Sequence, residues 1–195
     1  MFLFGCSHLS GSKPKPPEPP KEFAAMVAKK NELSALSTTE KLSKTPAIKG
    51  KIAIVGNHDG SVSIDRFSED GDAFFDDAPI PVANVVFNNF LPADLYAKTP
   101  DEIETLIKIN CVTKKDEAMY TNSNSDREEM KVYEYILCDV GLIDYKTATL
   151  TAKKQAGKNV APRGIHSSTI ARTPWPEIVE FIRSAAPPAD KTKAL

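Results

Sequence analysis

Ile136, Cys138, Val140 and Leu142 share one parity along residues 131–144, and Ile107, Ile109 and Cys111 do the same, alternating with Lys108 and Asn110. A period of two sends neighbouring side chains to opposite faces, so each run reads as an extended strand with one face against a core. A helix would scatter the same residues around its circumference. Lys51-Ile-Ala-Ile-Val55 gives another strand, and Val62 with Ile64 a second. Asn57-His58-Asp59-Gly60 turns between these two, because Asp-Gly tolerates the positive φ of a tight hairpin. Val85, Val86 and Phe87 suggest a third short strand. After a turn at Asp144-Tyr145-Lys146, Ala148, Leu150 and Ala152 alternate in a returning strand.

Helical signals stand at the two ends. Phe23, Met26 and Val27, then Leu33 and Leu36, recur at helical spacing and predict an amphipathic helix over about 20–36 that docks on the domain. Trp175, Ile178, Val179 and Ile182 form a helix stripe that runs to about Ser184, before Pro187-Pro188 stops it. Thr99-Pro100-Asp101-Glu102 carries helix-start chemistry, yet strand periodicity follows at once, so one helical turn should flow into a strand at about 105–113. Residues 114–130 and 155–174 lack apolar periodicity and read as an exposed connection and a loop. The expected class is α+β: an antiparallel β-sheet with a C-terminal helix packed on it, preceded by a Pro-rich tail and an N-terminal helix.

Charge divides the chain. Residues 1–51 carry nine lysines against four glutamates, whereas the rest carry sixteen basic and twenty-two acidic side chains. The formal net charge of −1 argues against a dedicated nucleic-acid binder, which needs a basic surface to displace counterions. No apolar run reaches the roughly 18 residues of a membrane-spanning helix. Lys13-Pro14-Lys15-Pro16-Pro17-Glu18-Pro19-Pro20 cannot pair as a central strand or build a helix interior, and favours polyproline II, a semi-stiff spacer. These shifts divide the chain into an N-terminal segment, 1–47, an α+β domain, 48–187, and a disordered tail, 188–195.

The cysteines pose two separate questions. Cys111 and Cys138 each fall on the apolar parity of their strand. If those strands are antiparallel neighbours, the sulfurs face one layer and come within disulfide distance. The alternative is two buried free thiols, since cysteine also serves as a small core hydrophobe. Cys6 follows Leu3-Phe4-Gly5, which resembles the processing box of bacterial lipoproteins, with Phe4 where a smaller residue is usual. That resemblance implies a lipid on Cys6, with the prolines as tether; a secretory leader would then need residues upstream, because only five precede Cys6. One lipid-bearing cysteine and one disulfide together account for all three.

Gly56-Asn57-His58-Asp59 after an apolar strand matches the Gly-Asn-His-Asp element of calcineurin-like metallophosphoesterases. It makes Asn57, His58 and Asp59 candidate ligands of a two-metal centre. The partners such a centre requires are missing: His8 has no Asp-x-His around it, and His166 stands in Gly-Ile-His-Ser without a second histidine. A hairpin turn explains the four letters better. The acidic stretch 68–77 offers hard oxygen donors but no twelve-residue calcium loop. No phosphate-binding glycine loop or nucleophile elbow is present, and no catalytic residue is assigned.

Leu91-Pro92-Ala93-Asp94-Leu95, Ala97-Lys98-Thr99-Pro100-Asp101-Glu102-Ile103, Cys111, Cys138-Asp139-Val140, Ile143-Asp144 and Pro176-Glu177-Ile178-Val179-Glu180-Phe181-Ile182 together resemble a bacterial family of small extracytoplasmic or membrane-associated domains of unknown function. The resemblance spans roughly residues 50–185. It implies that Cys111 and Cys138 correspond to paired strand cysteines, and it brings no catalytic residues. The expected protein is therefore a non-enzymatic, envelope-associated binding or accessory domain, extracytoplasmic and lipid-anchored, with no cofactor. Its partner would be a protein or a small ligand, not nucleic acid, and it would meet a membrane only through the lipid on Cys6. The alternatives are a metal-dependent phosphoesterase at Asn57, His58 and Asp59, or an intracellular protein-interaction module with all three thiols reduced.

Overall fold

The computed structural model describes residues 24–64, 91–121, 128–161, 171 and 173–187. Cys6, the Pro-rich run, the acidic stretch 68–77, the strand expected at 85–87, His166 and the tail 188–195 lie outside them. The described elements are α1 (Ala24–Ala35), β1 (Thr39–Glu40), β2 (Lys51–His58), β3 (Ser61–Ile64), β4 (Ile103–Thr121), β5 (Glu128–Asp144), β6 (Thr149–Ala156) and α2 (Trp175–Ala185). The six strands form one sheet in the order β1-β6-β5-β4-β2-β3. The class is α+β, with most strand pairs antiparallel. Two pairs, β2 with β4 and β1 with β6, run parallel.

Sequence parity sets the two faces. Ile52 and Ile54 of β2, Ile107, Ile109 and Cys111 of β4, and Ile136, Cys138, Val140 and Leu142 of β5 pack with Trp175, Ile178, Val179 and Ile182 of α2. Ala53 and Val55 point the other way and join Ile64, Leu106 and Ile143 against Met26, Val27 and Leu33 of α1. Strand β2 is thus apolar on both faces, which is why its core positions run continuously rather than alternate. Helix α2 starts with Pro176 in its first turn, where a missing N–H costs nothing, and ends where Ala186 turns extended before Pro187.

The single turn expected before β4 is present as a 3-10 turn, Pro100–Glu102, running directly into Ile103. Two expectations are corrected. First, residues 114–121 and 128–130, read as connection, prolong β4 and β5 into a two-stranded ribbon, with Lys115 opposite Glu134 and Met119 opposite Met130. The ribbon hides its strand character because both faces are largely solvated: Met119, Met130 and Val132 are exposed, and the Lys115–Glu134 ion pair spans 2.9 Å. Pairing with a long partner strand, rather than burial of an apolar face, carries this part. Second, Leu150 and Ala152 do not share a face. Between Leu142 and Ile143 the register with β6 shifts, so Leu142 opposes Ala152 and Ile143 opposes Leu150. Thr151 is the extra residue, its hydroxyl donating to the Leu142 carbonyl at 3.0 Å.

Candidate functional site

Asn57, His58 and Asp59 sit where β2 turns into β3. Asp59 has φ +49° and Gly60 φ +94°, and His58 pairs with Ser61, so Asp59-Gly60 is a two-residue hairpin loop with both residues left-handed. The Asn57 side-chain carbonyl accepts the Gly60 N–H at 3.0 Å. The Asp59 carboxylate accepts the Thr113 hydroxyl at 2.6 Å and the Thr113 N–H at 3.0 Å, tying the turn to β4. His58 Nε2 lies 3.2 Å from the Thr113 hydroxyl. The Thr113 hydroxyl bond holds the Asp59 carboxyl below its usual range, against a smaller opposing effect of burial. These side chains serve the turn, and among the described residues no group of three or more His, Cys, Asp or Glu gathers as metal ligands.

Cys111 and Cys138 lie directly opposite one another on β4 and β5, both buried, with their sulfurs at disulfide distance, 1.99 Å, and their Cα atoms 4.0 Å apart. Strand register alone brings these residues together across 27 positions of sequence. They belong to the layer beneath α2.

On the opposite face, a cavity of about 650 Å³ lies over β4, β5 and β6. Register makes it a grid of three rows. Leu106, Ile143 and Leu150 align across the three strands; Lys108, Gly141 and Lys153 form the next row; Asn110, Asp139 and Gln155 form the third. Gly141 at the centre contributes no side chain, and the tip of Leu150 leans over it so that a Cβ there would lie 2.9 Å from Leu150 Cδ1. Lys108 donates from Nζ to the Leu36 carbonyl at 3.2 Å, just past the end of α1, and its burial lowers the ammonium pKa. Lys153 pairs with Glu40 of β1 at 2.7 Å, and the Gln155 amide donates to Asp139 at 3.3 Å. None of these residues is assigned to a site from the sequence, although Asp139 and Ile143 fall within the segments that carry the resemblance. The available signals were Gly141 in mid-strand, a usual mark of close approach by another group, and a lysine among the apolar residues of β4.

The chain matches no protein-family model, no curated protein and no solved structure.

Proposed function

We propose that the chain is a non-enzymatic binding or accessory module of an extracytoplasmic compartment, tethered to the bacterial envelope through a lipid on Cys6. The observation that carries this reading is the buried Cys111–Cys138 pair at bonding distance on adjacent strands. A structural disulfide of this kind persists in an oxidising milieu and is rare in a reducing cytoplasm. The resemblance around residues 91–103, Cys111 and Cys138 points to the same compartment. The grid over Gly141 supplies a concave surface of the size that small ligands occupy. Asn57, His58 and Asp59, engaged with Gly60 and Thr113, support a turn role over a hydrolytic one.

The test is a thiol count on the full chain isolated from its native host without reductant. Alkylation followed by intact mass measurement should leave Cys111 and Cys138 unlabelled until reductant is added. Cys6 should carry a lipid mass and draw the protein into a detergent phase, and Cys6→Ser should release it. Three alkylated thiols with no lipid mass would overturn the proposal in favour of the intracellular interaction module.

A further inference from the structure

The ribbon made by the ends of β4 and β5 leaves one strand edge bare, and the residues along that edge fit a copy of themselves. We propose that the chain self-associates as a two-fold dimer, the β5 edges of two ribbons pairing antiparallel about Met130 to form a four-stranded sheet.

Backbone direction selects the edge. The Cys111 carbonyl accepts the Asp59 N–H at 3.2 Å, and the Thr113 N–H donates to the Asp59 carboxylate, so the odd-numbered positions of β4 face away from β5. Register between the two strands runs unbroken to Thr121 opposite Glu128. Glu128, Met130 and Val132, opposite Thr121, Met119 and Glu117, therefore send their own N–H and C=O groups outward. Strand β6 does not cover that side, because its pairing with β5 ends at Ala156 opposite Cys138. Asn159 reaches both Tyr133 and Asp116, which places it over the face of the ribbon rather than along this edge. Among the described residues nothing takes the outward groups of Glu128, Met130 and Val132. The β4 edge differs: its Thr113 N–H is held by Asp59, and its Glu117 N–H by the Asp116 carboxylate at 2.8 Å. A bare edge is a template for another strand, and a two-stranded ribbon in water gains stability from one.

Side chains select the partner and the register. With the axis at Met130, Glu129 lies opposite Lys131 of the second copy, and Lys131 opposite its Glu129. Two opposite-charge pairs then flank the axis on one face. Sliding the axis by one residue would set Glu129 against Glu129 or Lys131 against Lys131, and like charges directly opposed are unfavourable. On the other face, the exposed Met119 and Met130 of each copy align as a row of four methionines, with Val132 beside them. The edge is thus self-complementary, as a two-fold interface requires. Met130 lies eight residues from Cys138, roughly 27 Å of strand, so the two sheets fall at opposite ends of the joined ribbons.

The test is sedimentation velocity on the full chain carrying Cys6→Ser, so that neither a lipid nor that thiol can join copies, from about 1 to about 200 µM. A monomer–dimer equilibrium with a midpoint on the order of 10 µM is expected, the strength of a small interface. Lys131→Glu should weaken it about tenfold, and Glu129→Lys together with Lys131→Glu should restore it, since the exchange returns both opposite-charge pairs. Met130→Cys should yield a two-chain disulfide species under mild copper-catalysed air oxidation, because opposed hydrogen-bonded residues lie about 5.5 Å apart. Met119→Cys, three strand spacings or roughly 14 Å from its copy, should not. A chain that stays monomeric at about 200 µM, a dimer indifferent to the charge exchange, or cross-linking through position 119 rather than 130 would each overturn the proposal. None of these outcomes depends on the thiol count at Cys111 and Cys138, so this proposal and the compartment reading stand or fall separately.

Discussion

The two faces of this sheet are built from the same strands and finished in opposite ways. Under α2 the surface is apolar from β2 across to β6, and Ile178 and Ile182 are almost wholly withdrawn from solvent. On the other face, α1 covers β2, β3 and the start of β4, and the surface then changes to lysine, glycine, aspartate and amide over β4, β5 and β6. The difference teaches where burial holds the sheet and where polar side chains are left to line a cavity. A closed apolar layer holds the register, and register places polar side chains from three strands around one glycine. Substitution under α2 is expected to destabilise the fold, whereas substitution of the polar side chains over β4, β5 and β6 is expected to destabilise it less.

That contrast can be broken from either side. The largest effect is expected from Ile178→Ala beneath α2, about 3 kcal/mol of lost stability by urea unfolding, because the residue is fully buried and leaves a cavity. A loss below about 1 kcal/mol would mean that α2 is not a tightly packed layer. Next, replacing Cys111 and Cys138 together by alanine should cost roughly 3 kcal/mol relative to the oxidised chain, by loop-closure entropy over 27 residues. Under reductant the same pair of substitutions should cost far less, and an unchanged difference would show that the sulfurs are not bonded.

Smaller effects sharpen the comparison. Asp59→Asn keeps a residue that tolerates the left-handed turn and removes only the carboxylate that Thr113 holds. Because the folded carboxyl is below its unfolded value, its contribution is present above the usual carboxylate range and is lost as pH falls through the folded pKa. The variant should therefore be destabilised by less than about 1 kcal/mol at neutral pH, after allowance for the exposure of Asp59, with the gap closing below about pH 4. A gap that persists in acid would assign the effect to geometry rather than charge. Smallest of all, Lys108→Met should shift stability by no more than about 1 kcal/mol, since relief of a desolvated ammonium offsets the lost bond to Leu36. A severe loss on thermal melting would place Lys108 among the structural residues and close the contrast between the faces.

Much of this architecture is legible in local patterns. Parity along 107–111 and 136–142 marks the face that meets α2, the Trp175–Ile182 stripe marks the helix that covers it, and Asp59-Gly60 marks the hairpin. The ribbon beyond Thr113 was not legible, because strands stabilised by pairing with both faces wet carry no apolar alternation. The face switch at Leu150 was not legible either: one extra residue at Thr151 reverses the parity, and nothing around it in the chain announces the bulge.

Sequence alone determined the two helices, the extended segments that bury an apolar face and, up to the bulge at Thr151, which side of them is apolar, because these follow from steric preferences and burial within a few residues. Only the tertiary structure decided that Cys111 meets Cys138, and that Lys108, Gly141 and Lys153 fall into one row. Both are facts of register between strands far apart in the chain. Register is fixed by how whole apolar faces fit together, so no single segment contains it.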